Sequence, residues 1–402
     1  MHDLSWCRQD TLRATSWSDV QGRVSQPVRS ALDKVLETQD GASLTRDEQL
    51  PLAHASGDDL FGLVVAANEL RRQIVGETVT YVVTRNINFT NVCIVGCKFC
   101  AFAVGPRHDT AYFLSLGEIA EKVREAARWG ATEVCIQGGL PRDLPPFYYR
   151  DILRAVKAAV PTMHCHAFSP MEMLYGVELT GMSVREYLLM LKDAGLDTLP
   201  GTAAEILDDD VRHLLSRNKL SVAQWREIIE TAHECGIRST STMMYGHSEQ
   251  PEQWVNQLRL LREIQSKTGG FTEFVPLGFI HDNTLLYEQG LARAGATLEE
   301  HMKVHALARV MLAGSIDHIQ VSWVKLGRDV SQLTLLAGAD DYGGTLFEEN
   351  ISRLAGAAFG QYVSSDEFQE RILELGRIPA QRNTTYTKLM YPQPPVATGS
   401  AA

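Results

Sequence analysis

Three cysteines lie within eight residues of this chain, at Cys93, Cys97 and Cys100. Their spacing is C-x3-C-x2-C, and Phe99 stands directly before the last of them. Three closely spaced thiolates can bind three irons of a [4Fe–4S] cube, which leaves the fourth iron open for a ligand that is not protein. The spacing therefore predicts a reducible cluster with one iron available for radical chemistry.

Two other kinds of site use closely spaced cysteines, a structural zinc site and an electron-transfer cluster. A structural zinc site usually has four ligands, often as two C-x2-C pairs, and no second C-x2-C exists here. An electron-transfer cluster would use a fourth cysteine close by. The remaining cysteines, Cys7, Cys135, Cys165 and Cys235, are isolated in the sequence. The last three are best interpreted as small buried hydrophobic residues.

The composition restricts the class of protein. The chain has 402 residues, 45% of them hydrophobic, with 38 basic and 49 acidic residues and a net charge of −11. An acidic balance argues against a general nucleic-acid binder. No apolar run approaches the roughly 20 residues that a membrane span needs, and the first residues lack the features of a signal peptide. Seven cysteines without a disulfide framework fit a reducing cytoplasm.

The elements that position the cysteines change character near residue 78. From there, short β-branched runs alternate with amphipathic helices, which indicates βα units around a parallel sheet. Strands are predicted at 81–89, 133–137, 163–168, 198–200, 238–244, 273–277 and 318–323. Capping boxes predict helix starts at Ser115, Ser183, Ser221 and Thr297. The expected fold is α/β, a (β/α) barrel that is partial or six-plus-one stranded.

The chain divides into four predicted parts. Residues 1–77 form a helical segment packed on the barrel, and 78–327 form the barrel core. Residues 328–391 are an extension of loop and helix that closes the barrel. The tail at 392–402 is rich in Pro, Gly, Ser and Ala and is expected to be disordered. In such barrels function gathers at the C-terminal ends of the strands, so the cluster is expected at the barrel mouth.

The cysteine loop resembles that of the radical S-adenosylmethionine (SAM) enzymes, whose three cluster ligands match Cys93, Cys97 and Cys100. Residues 78–93 more closely resemble the opening of the 5-amino-6-(D-ribitylamino)uracil–L-tyrosine 4-hydroxyphenyl transferases of 8-hydroxy-5-deazaflavin synthesis. Thr84 and Asp340 depart from that pattern, since Asn is expected at both positions, and either change could alter substrate contacts. The resemblance continues through segments at 131–139, 163–172, 197–208, 239–247, 269–277, 322–327 and 338–345.

The resemblance implies two cofactors, a [4Fe–4S] cluster and SAM, and it suggests residues that bind SAM at the ends of successive strands. The glycine turn after the second strand would contact the amino end of SAM, although an ordinary βα turn is the alternative. Residues after the third to fifth strands would contact the carboxylate, ribose, adenine or sulfonium. The candidates are Gln137, Gly138, Gly139, Ser169, Thr202, Glu205 and Tyr245.

Polar residues on the predicted strands are candidates for substrate binding, because buried polar groups need partners. Two histidines of the third strand lie on one face and would reach a substrate cavity, or else form a hydrogen-bonded pair in the core. Two residues at the end of the last predicted strand would stack on or pair with a substrate. The candidates are Arg85, Asn86, Asn88, His164, His166, His247, Trp323 and Lys325.

The activity implied by the resemblance is cleavage of L-tyrosine and transfer of its 4-hydroxybenzyl group to 5-amino-6-(D-ribitylamino)uracil, with release of 2-iminoacetate. Expected partners are these two substrates, a reductant protein and a second radical SAM enzyme that completes the deazaflavin, with no nucleic acid and no membrane. The first alternative is a related radical SAM enzyme that makes aminofutalosine for menaquinone. The remote alternative is a non-catalytic iron–sulfur or zinc-binding scaffold.

Overall fold

The computed structural model describes residues 4–392, so almost all of the predicted tail lies outside it. Helices come first, then alternating strands and helices, then a second group of strands. The N-terminal helices are α1 Gln9–Ala14, α2 Trp17–Val20, α3 Gln26–Thr38, α4 Arg46–Ala53 and α5 Gly57–Val75. The middle elements are β1 Thr78–Val82, β2 Thr84–Ile87, α6 Leu116–Arg128, β3 Glu133–Ile136, α7 Tyr148–Ala159, β4 His164–Ala167, α8 Pro170–Thr180, α9 Val184–Ala194, β5 Thr198–Leu199, α10 Asp209–Leu215, α11 Val222–Glu234, β6 Arg238–Tyr245, α12 Pro251–Thr268, β7 Phe271–Gly278, α13 Leu285–Glu288, α14 Leu298–Leu312 and α15 Trp323–Leu335. The last elements are β8 Asp341–Gly344, α16 Ile351–Leu354, α17 Ser365–Glu374, β9 Ile378–Arg382 and β10 Leu389–Met390.

Six parallel strands form the main sheet, in the order β2-β3-β4-β5-β6-β7. Residues of all these strands, or of the turns that follow them, line one internal chamber, so the sheet curls around it. The helices that connect the strands carry the predicted capping boxes at Ser115, Ser183, Ser221 and Thr297. The prediction of an α/β barrel built on six parallel strands, with N-terminal helices and a C-terminal extension, is confirmed.

The barrel is closed between β7 and β1 by a seam in which few residues are in strand conformation. Ile319 bridges to Phe274 of β7, and Gln320 bridges to Asp341 of β8. Strand β8 pairs in parallel with β1, and β1 runs on into β2 after a single intervening residue. The predicted strand at 318–323 is therefore reduced to two bridges, because the chain turns into helix α15 at Trp323.

The region after 340 contains strands that the sequence did not predict. Strand β9 pairs in parallel with β1 and antiparallel with β10, so the second sheet has the order β10-β9-β1-β8. Short strands of this kind are fixed by their partners in the sheet rather than by local propensity. The predicted extension of loop and helix thus also supplies part of the barrel wall.

The N-terminal helices cover the outside of the barrel seam. Helix α5 packs on α14 and α3, and its buried residues include Leu60, Leu63 and Leu70. Among residues 4–392, the structure contains no helix that is both long and apolar enough to cross a membrane.

Asp340 occupies a buried ion-pair cluster behind the seam rather than a substrate contact. Its carboxylate accepts hydrogen bonds from Arg309 Nη2, His318 Nδ1 and the backbone N–H of Ile319, each at 2.7 Å. Burial opposes ionisation, yet His318 and Arg309 hold the pKa of Asp340 below its usual range. Asp340 therefore contributes to the packing of the seam through contacts within the protein.

Replacing Asp340 by Asn is expected to lower the free energy of unfolding by about 3 kcal/mol, because Arg309 would remain buried without its counter-charge. Denaturant unfolding of Asp340→Asn measures the loss, with the exposed Asp329→Asn as the matched control. Since the pKa of Asp340 is lowered, its stabilisation is complete above the ordinary aspartate value of 3.8 and is lost as the pH falls below it. Equal stability of Asp340→Asn and the parent at pH 7 would contradict this assignment.

Candidate active site

The loop that carries the three cysteines is held by backbone hydrogen bonds to its own ends and to its neighbours. The N–H of Cys93 donates to the carbonyl of Val104 at 3.2 Å, and the N–H of Ile94 donates to Leu140 at 2.9 Å. Gly96 has a φ of 72°, which suits glycine at the turn between the first two cysteines. The loop follows β2 directly, so the cysteines lie at the C-terminal end of the parallel strands, as predicted.

The two glycines after β3 allow that turn to touch the cysteine loop. A Cβ on Gly139 would lie 2.2 Å from the carbonyl oxygen of Val92 and 3.1 Å from Cys93 Cβ. A Cβ on Gly138 would lie 2.6 Å from the ring of Phe89. Both glycines line the cavity beside the cysteines, so close backbone packing accounts for them even before any ligand is considered.

Gly139→Ala is expected to displace the cysteine loop, because the clash is with a backbone carbonyl that no side-chain rotation can relieve. We expect the reconstituted variant to hold less than half of the parent's iron and to lose at least tenfold in activity. Iron analysis and the visible cluster absorption measure the effect. Gly105→Ala is the control, since a Cβ there meets open space; full iron content in Gly139→Ala would contradict the argument.

The three thiols are free and line one cavity of about 190 Å³, which we call the cluster cavity. Burial raises the pKa of Cys97 to about 11 and also raises that of Cys100, so iron binding must displace the protons of these thiols. Backbone N–H groups of Phe102 and Ala103 donate to the Cys100 sulfur, the kind of contact that tunes cluster potential.

The donor set of the cluster cavity fits a cube better than a single ion. In the described part of the chain, 4–392, no group of three or more His, Cys, Asp or Glu side chains converges as a mononuclear metal site requires. A cube bonds each thiolate to a different iron, so its ligands need not surround one point. Cys135 lies in the wall of a separate chamber. The three cysteines therefore fit a [4Fe–4S] cluster with an open iron.

A second loop, between α10 and α11, covers the cysteines, and sequence reasoning missed it. Lys219 lines the cluster cavity, with its Nζ 2.6 Å from Glu205 Oε1 and 4.8 Å from the ring centre of Phe99. Asn218 Nδ2 donates to the carbonyl of Val95 at 3.2 Å. This loop places a cation next to the thiolates, and no local sequence pattern marks it.

Glu172 is the other missed residue of the cluster cavity. It forms a capping box with Ser169 at the start of α8, and its Oε1 accepts the N–H of Gly138 at 3.0 Å. Burial raises the pKa of Glu172 to about 7. The predicted SAM residue Ser169 is thus a helix cap that also lines the cavity. The pattern Ser169-x-x-Glu172 is a capping-box signal from which this glutamate could have been predicted.

Two further cavities continue from the cluster cavity into the barrel. The outer cavity, about 190 Å³, has mainly apolar walls that include Met244, Phe279 and Ile351. The inner chamber, about 150 Å³, lies inside the barrel. Gln137 and Thr202 line all three spaces, and Gln137 Nε2 donates to Thr202 Oγ1 at 2.8 Å. These two predicted residues form the junction of the site.

Glu205 and the two histidines of β4 lie close to these cavities. Glu205 lines the outer cavity and is ion-paired with Lys219. His164 Nε2 and His166 Nδ1 both lie 2.8 Å from Thr198 Oγ1, and His166 lines the inner chamber. Burial lowers the pKa of His166 to about 4, so this ring is neutral. The two rings are therefore linked through the Thr198 hydroxyl, and His166 is the one that lines the inner chamber.

The polar side chains in and just after β2 point to opposite faces of the strand. Arg85 points outward, where it pairs with Glu125 at 2.6 Å and Glu348 at 2.8 Å. The expectation that Arg85 faces the substrate is therefore wrong, because it alternates with inward residues. Asn86 and Asn88 each keep a buried Oδ1 without a partner among the described residues.

Two residues at the end of β6 point away from the cavities, contrary to prediction. The Tyr245 hydroxyl lies 2.7 Å from His301 Nδ1 on α14, while its neighbour Met244 lines the outer cavity. His247 is buried, with Nδ1 3.2 Å from Glu249 Oε2 and Nε2 3.0 Å from the Met244 carbonyl. Both side chains hold the loop after β6 in place.

Trp323 and Lys325 lie in the first turn of helix α15 and have different roles. Trp323 Nε1 donates to the carbonyl of Gly344 at 2.9 Å and packs edge-on against Phe368, so it belongs to the core of the seam. Its predicted contact with a substrate is wrong. Lys325 lines the outer cavity, and its Nζ donates to Ser352 Oγ at 2.8 Å.

Two family models match the chain in succession. Residues 87–261 match the radical SAM superfamily, and residues 268–394 match the CofH/MqnC C-terminal region. Among solved structures, methylornithine synthase has a TM-score of 0.67 at 19% identity and covers 87% of this chain and 97% of its own. HydG, a maturase of the [FeFe]-hydrogenase, has a TM-score of 0.71 at 14% identity, with 96% and 82% covered. These likenesses show the fold.

Relatives of known name are much more similar in sequence. FO synthase of Mycobacterium leprae is 53% identical over 90% of this chain, and FO synthase of Streptomyces coelicolor is 52% identical over the same share. The chain spans 42% of the length of each. The 5-amino-6-(D-ribitylamino)uracil–L-tyrosine 4-hydroxyphenyl transferase of Methanothermobacter thermautotrophicus is 47% identical over 90% of this chain and 99% of its own length.

The match covers nearly all of that archaeal protein, and it includes the cysteine loop, the barrel and the C-terminal region of this chain. This coverage assigns the chain to a family. A [4Fe–4S] cluster and SAM are the cofactors of the radical SAM superfamily, and the three thiols of the cluster cavity supply the ligands for the first. The chain belongs to the 5-amino-6-(D-ribitylamino)uracil–L-tyrosine 4-hydroxyphenyl transferase family of radical SAM proteins.

Proposed function

We propose that this protein transfers the 4-hydroxybenzyl group of L-tyrosine to C5 of 5-amino-6-(D-ribitylamino)uracil. The Cα–Cβ bond of tyrosine breaks, a carbon–carbon bond to C5 forms, and the remainder of tyrosine leaves as 2-iminoacetate, in the synthesis of the deazaflavin FO. The observation that carries the proposal is that the cluster cavity, the outer cavity and the inner chamber meet at the Gln137–Thr202 junction.

The cofactors, when bound, supply a 5′-deoxyadenosyl radical at the mouth of the barrel. The residues of the chain must then exclude water and alternative hydrogen donors, and hold two substrates so that only one bond reacts. A closed seam of β8 and the bridges at Ile319 and Gln320 supports that role, because it seals the interior on the side where the parallel sheet ends.

The outer cavity suits tyrosine. Its apolar residues, such as Phe279 and Ile351, can pack on the phenol ring. Lys325 provides an ammonium group in the same wall, where it donates to the hydroxyl of Ser352 and has no other hydrogen-bond partner among residues 4–392. An ammonium that retains free donors is a good partner for the carboxylate of an amino acid. We therefore place the tyrosine carboxylate at Lys325.

Two further partners follow from the proposed chemistry. A reductant protein must deliver electrons to the cluster, and a reducing compartment such as the cytoplasm would preserve it. The sequence has one C-x3-C-x2-C motif. We therefore assign the reaction that completes the deazaflavin ring to a second radical SAM active site, and we assign no role in nucleic-acid or membrane binding.

Product analysis separates this proposal from its rivals. The anaerobically reconstituted protein is incubated with dithionite and SAM, and with either tyrosine plus 5-amino-6-(D-ribitylamino)uracil or the enolpyruvyl benzoate substrate of aminofutalosine synthesis. We expect a 4-hydroxybenzyl adduct of the uracil with the first pair and no product with the second. Aminofutalosine formation would overturn the proposal, and absence of 5′-deoxyadenosine under all conditions would favour a non-catalytic scaffold.

A further inference from the structure

The inner chamber has an unusual lining for the inside of a (β/α) barrel. Barrel interiors are ordinarily filled by layers of branched aliphatic side chains. Here the chamber keeps about 150 Å³ open, and its walls carry hydroxyl, amide, imidazole and carboxylate groups. Examples from separate strands are Thr84, Glu133, His166 and Thr240. Most of these groups are hydrogen-bonded within the protein, so the sign of a polar ligand is a lining group that has no such partner.

The charged groups of the chamber already have partners within the protein. Arg382 pairs with Asp341 at 2.5 Å and with Glu273 at 3.1 Å, and the same carboxylate of Glu273 accepts the Tyr386 hydroxyl at 2.5 Å. Glu133 accepts the hydroxyl of Thr384. A charged ligand would have to break these pairs, so the chamber favours an uncharged ligand with many hydroxyl groups.

Thr84 offers the clearest sign of a missing partner. It is 2% exposed, it lines the chamber, and its Oγ1 has no hydrogen-bond partner among residues 4–392. Asn86, two residues along the same face of β2, has a buried Oδ1 in the same condition. Buried polar atoms are usually paired, so the unpaired Thr84 hydroxyl in the chamber wall supports a ligand that bonds to it.

We propose that the inner chamber binds the ribityl chain of 5-amino-6-(D-ribitylamino)uracil, an inference that rests on the proposed function. Each hydroxyl of the chain can donate and accept, which matches walls that contain both donors and acceptors. The uracil ring then lies towards the Gln137–Thr202 junction. In this orientation the unreactive tail is deep in the barrel, and C5 faces the outer cavity that we assign to tyrosine.

The test is a thermodynamic cycle that compares binding affinities after a change in the ligand, a change in the protein, and both changes together. Two probes are titrated into the reconstituted protein by anaerobic calorimetry: 5-amino-6-(D-ribitylamino)uracil, and 5-amino-6-(methylamino)uracil, which lacks the polyol. The variant is Thr84→Val, which keeps the β-branched shape and removes a hydroxyl that has no hydrogen-bond partner in the described part of the chain. The control is Thr132→Val, since Thr132 also has a buried, unpartnered hydroxyl and is not part of the chamber wall.

We expect the parent to bind the ribityl ligand at least tenfold more tightly than the methyl ligand. Thr84→Val should weaken the ribityl ligand about three- to tenfold, the value of a single neutral hydrogen bond, and leave the methyl ligand unchanged. Thr132→Val should change neither. If Thr84→Val leaves the affinity for the ribityl ligand unchanged, or weakens both ligands equally, the placement of the ribityl chain is wrong although the proposed function stands. If the parent binds neither ligand, the proposed function fails.

Discussion

Cys97→Ala is expected to abolish turnover, with activity at least a thousandfold below the parent. The three thiols line one cavity, and no fourth cysteine in that cavity can replace a lost ligand. Removing one ligand leaves a second iron without protein coordination, so the cube should be lost or converted to a cluster with fewer irons. Iron analysis, visible absorption and electron paramagnetic resonance of the reconstituted variant measure this directly.

The matched control for the cluster is Cys235→Ala. Cys235 is a buried cysteine at the end of α11, far from the cluster cavity in the chain and in contact with Arg185 at 3.7 Å. We expect this variant to hold a full cluster and to retain activity. Retained activity in Cys97→Ala would contradict the assignment of the cluster ligands.

Lys325→Met is expected to raise the KM for tyrosine about 10- to 100-fold. A charge-assisted hydrogen bond to a carboxylate contributes about 1.5–3 kcal/mol, and methionine keeps most of the side-chain length without the charge. Burial lowers the pKa of Lys325 whereas Glu349 opposes that shift, and a bound carboxylate would favour the ammonium form further. The affinity for the uracil ligand should stay within twofold of the parent, because that substrate lies in the other chamber.

Steady-state kinetics at varied tyrosine concentration, with the second substrate saturating, checks this expectation. Lys267→Met is the control, since Lys267 is an exposed surface residue paired with Glu230. Circular dichroism establishes that Lys325→Met is folded, because the substitution also removes the contact with Ser352. A KM for tyrosine equal to that of the parent would move the tyrosine carboxylate elsewhere.

Local patterns in the sequence predicted much of this molecule. The cysteine spacing predicted the cluster loop, and capping boxes predicted the starts of α6, α9, α11 and α14. These signals depend on residues three or four positions apart, so they can be read without knowing the rest of the fold. Gln137 and Thr202 were predicted on a different basis, from their places at the ends of strands and the resemblance to radical SAM enzymes, and both line the cavities at the barrel mouth.

Predictions failed where distant parts of the chain decide the structure. Strand β8 contains two glycines in four residues, and only its pairing with β1, some 260 positions earlier, makes it a strand. The period of two along a strand separates its faces but does not say which face is inside. That is why Arg85 was placed with the substrates and Tyr245 with SAM, although both point away from the cavities. Lys219 reaches the cysteines only because the loop after α10 folds over them.

The most direct test of the central claim follows the carbon atoms of tyrosine. The reconstituted protein is supplied with dithionite, SAM, 5-amino-6-(D-ribitylamino)uracil and tyrosine labelled with carbon-13 at Cβ, and the products are analysed by mass spectrometry. We predict that the label appears in the uracil adduct, that 2-iminoacetate is unlabelled, and that 5′-deoxyadenosine forms in proportion to the adduct. Formation of 5′-deoxyadenosine without any dependence on tyrosine, or an adduct without the label, would contradict the account.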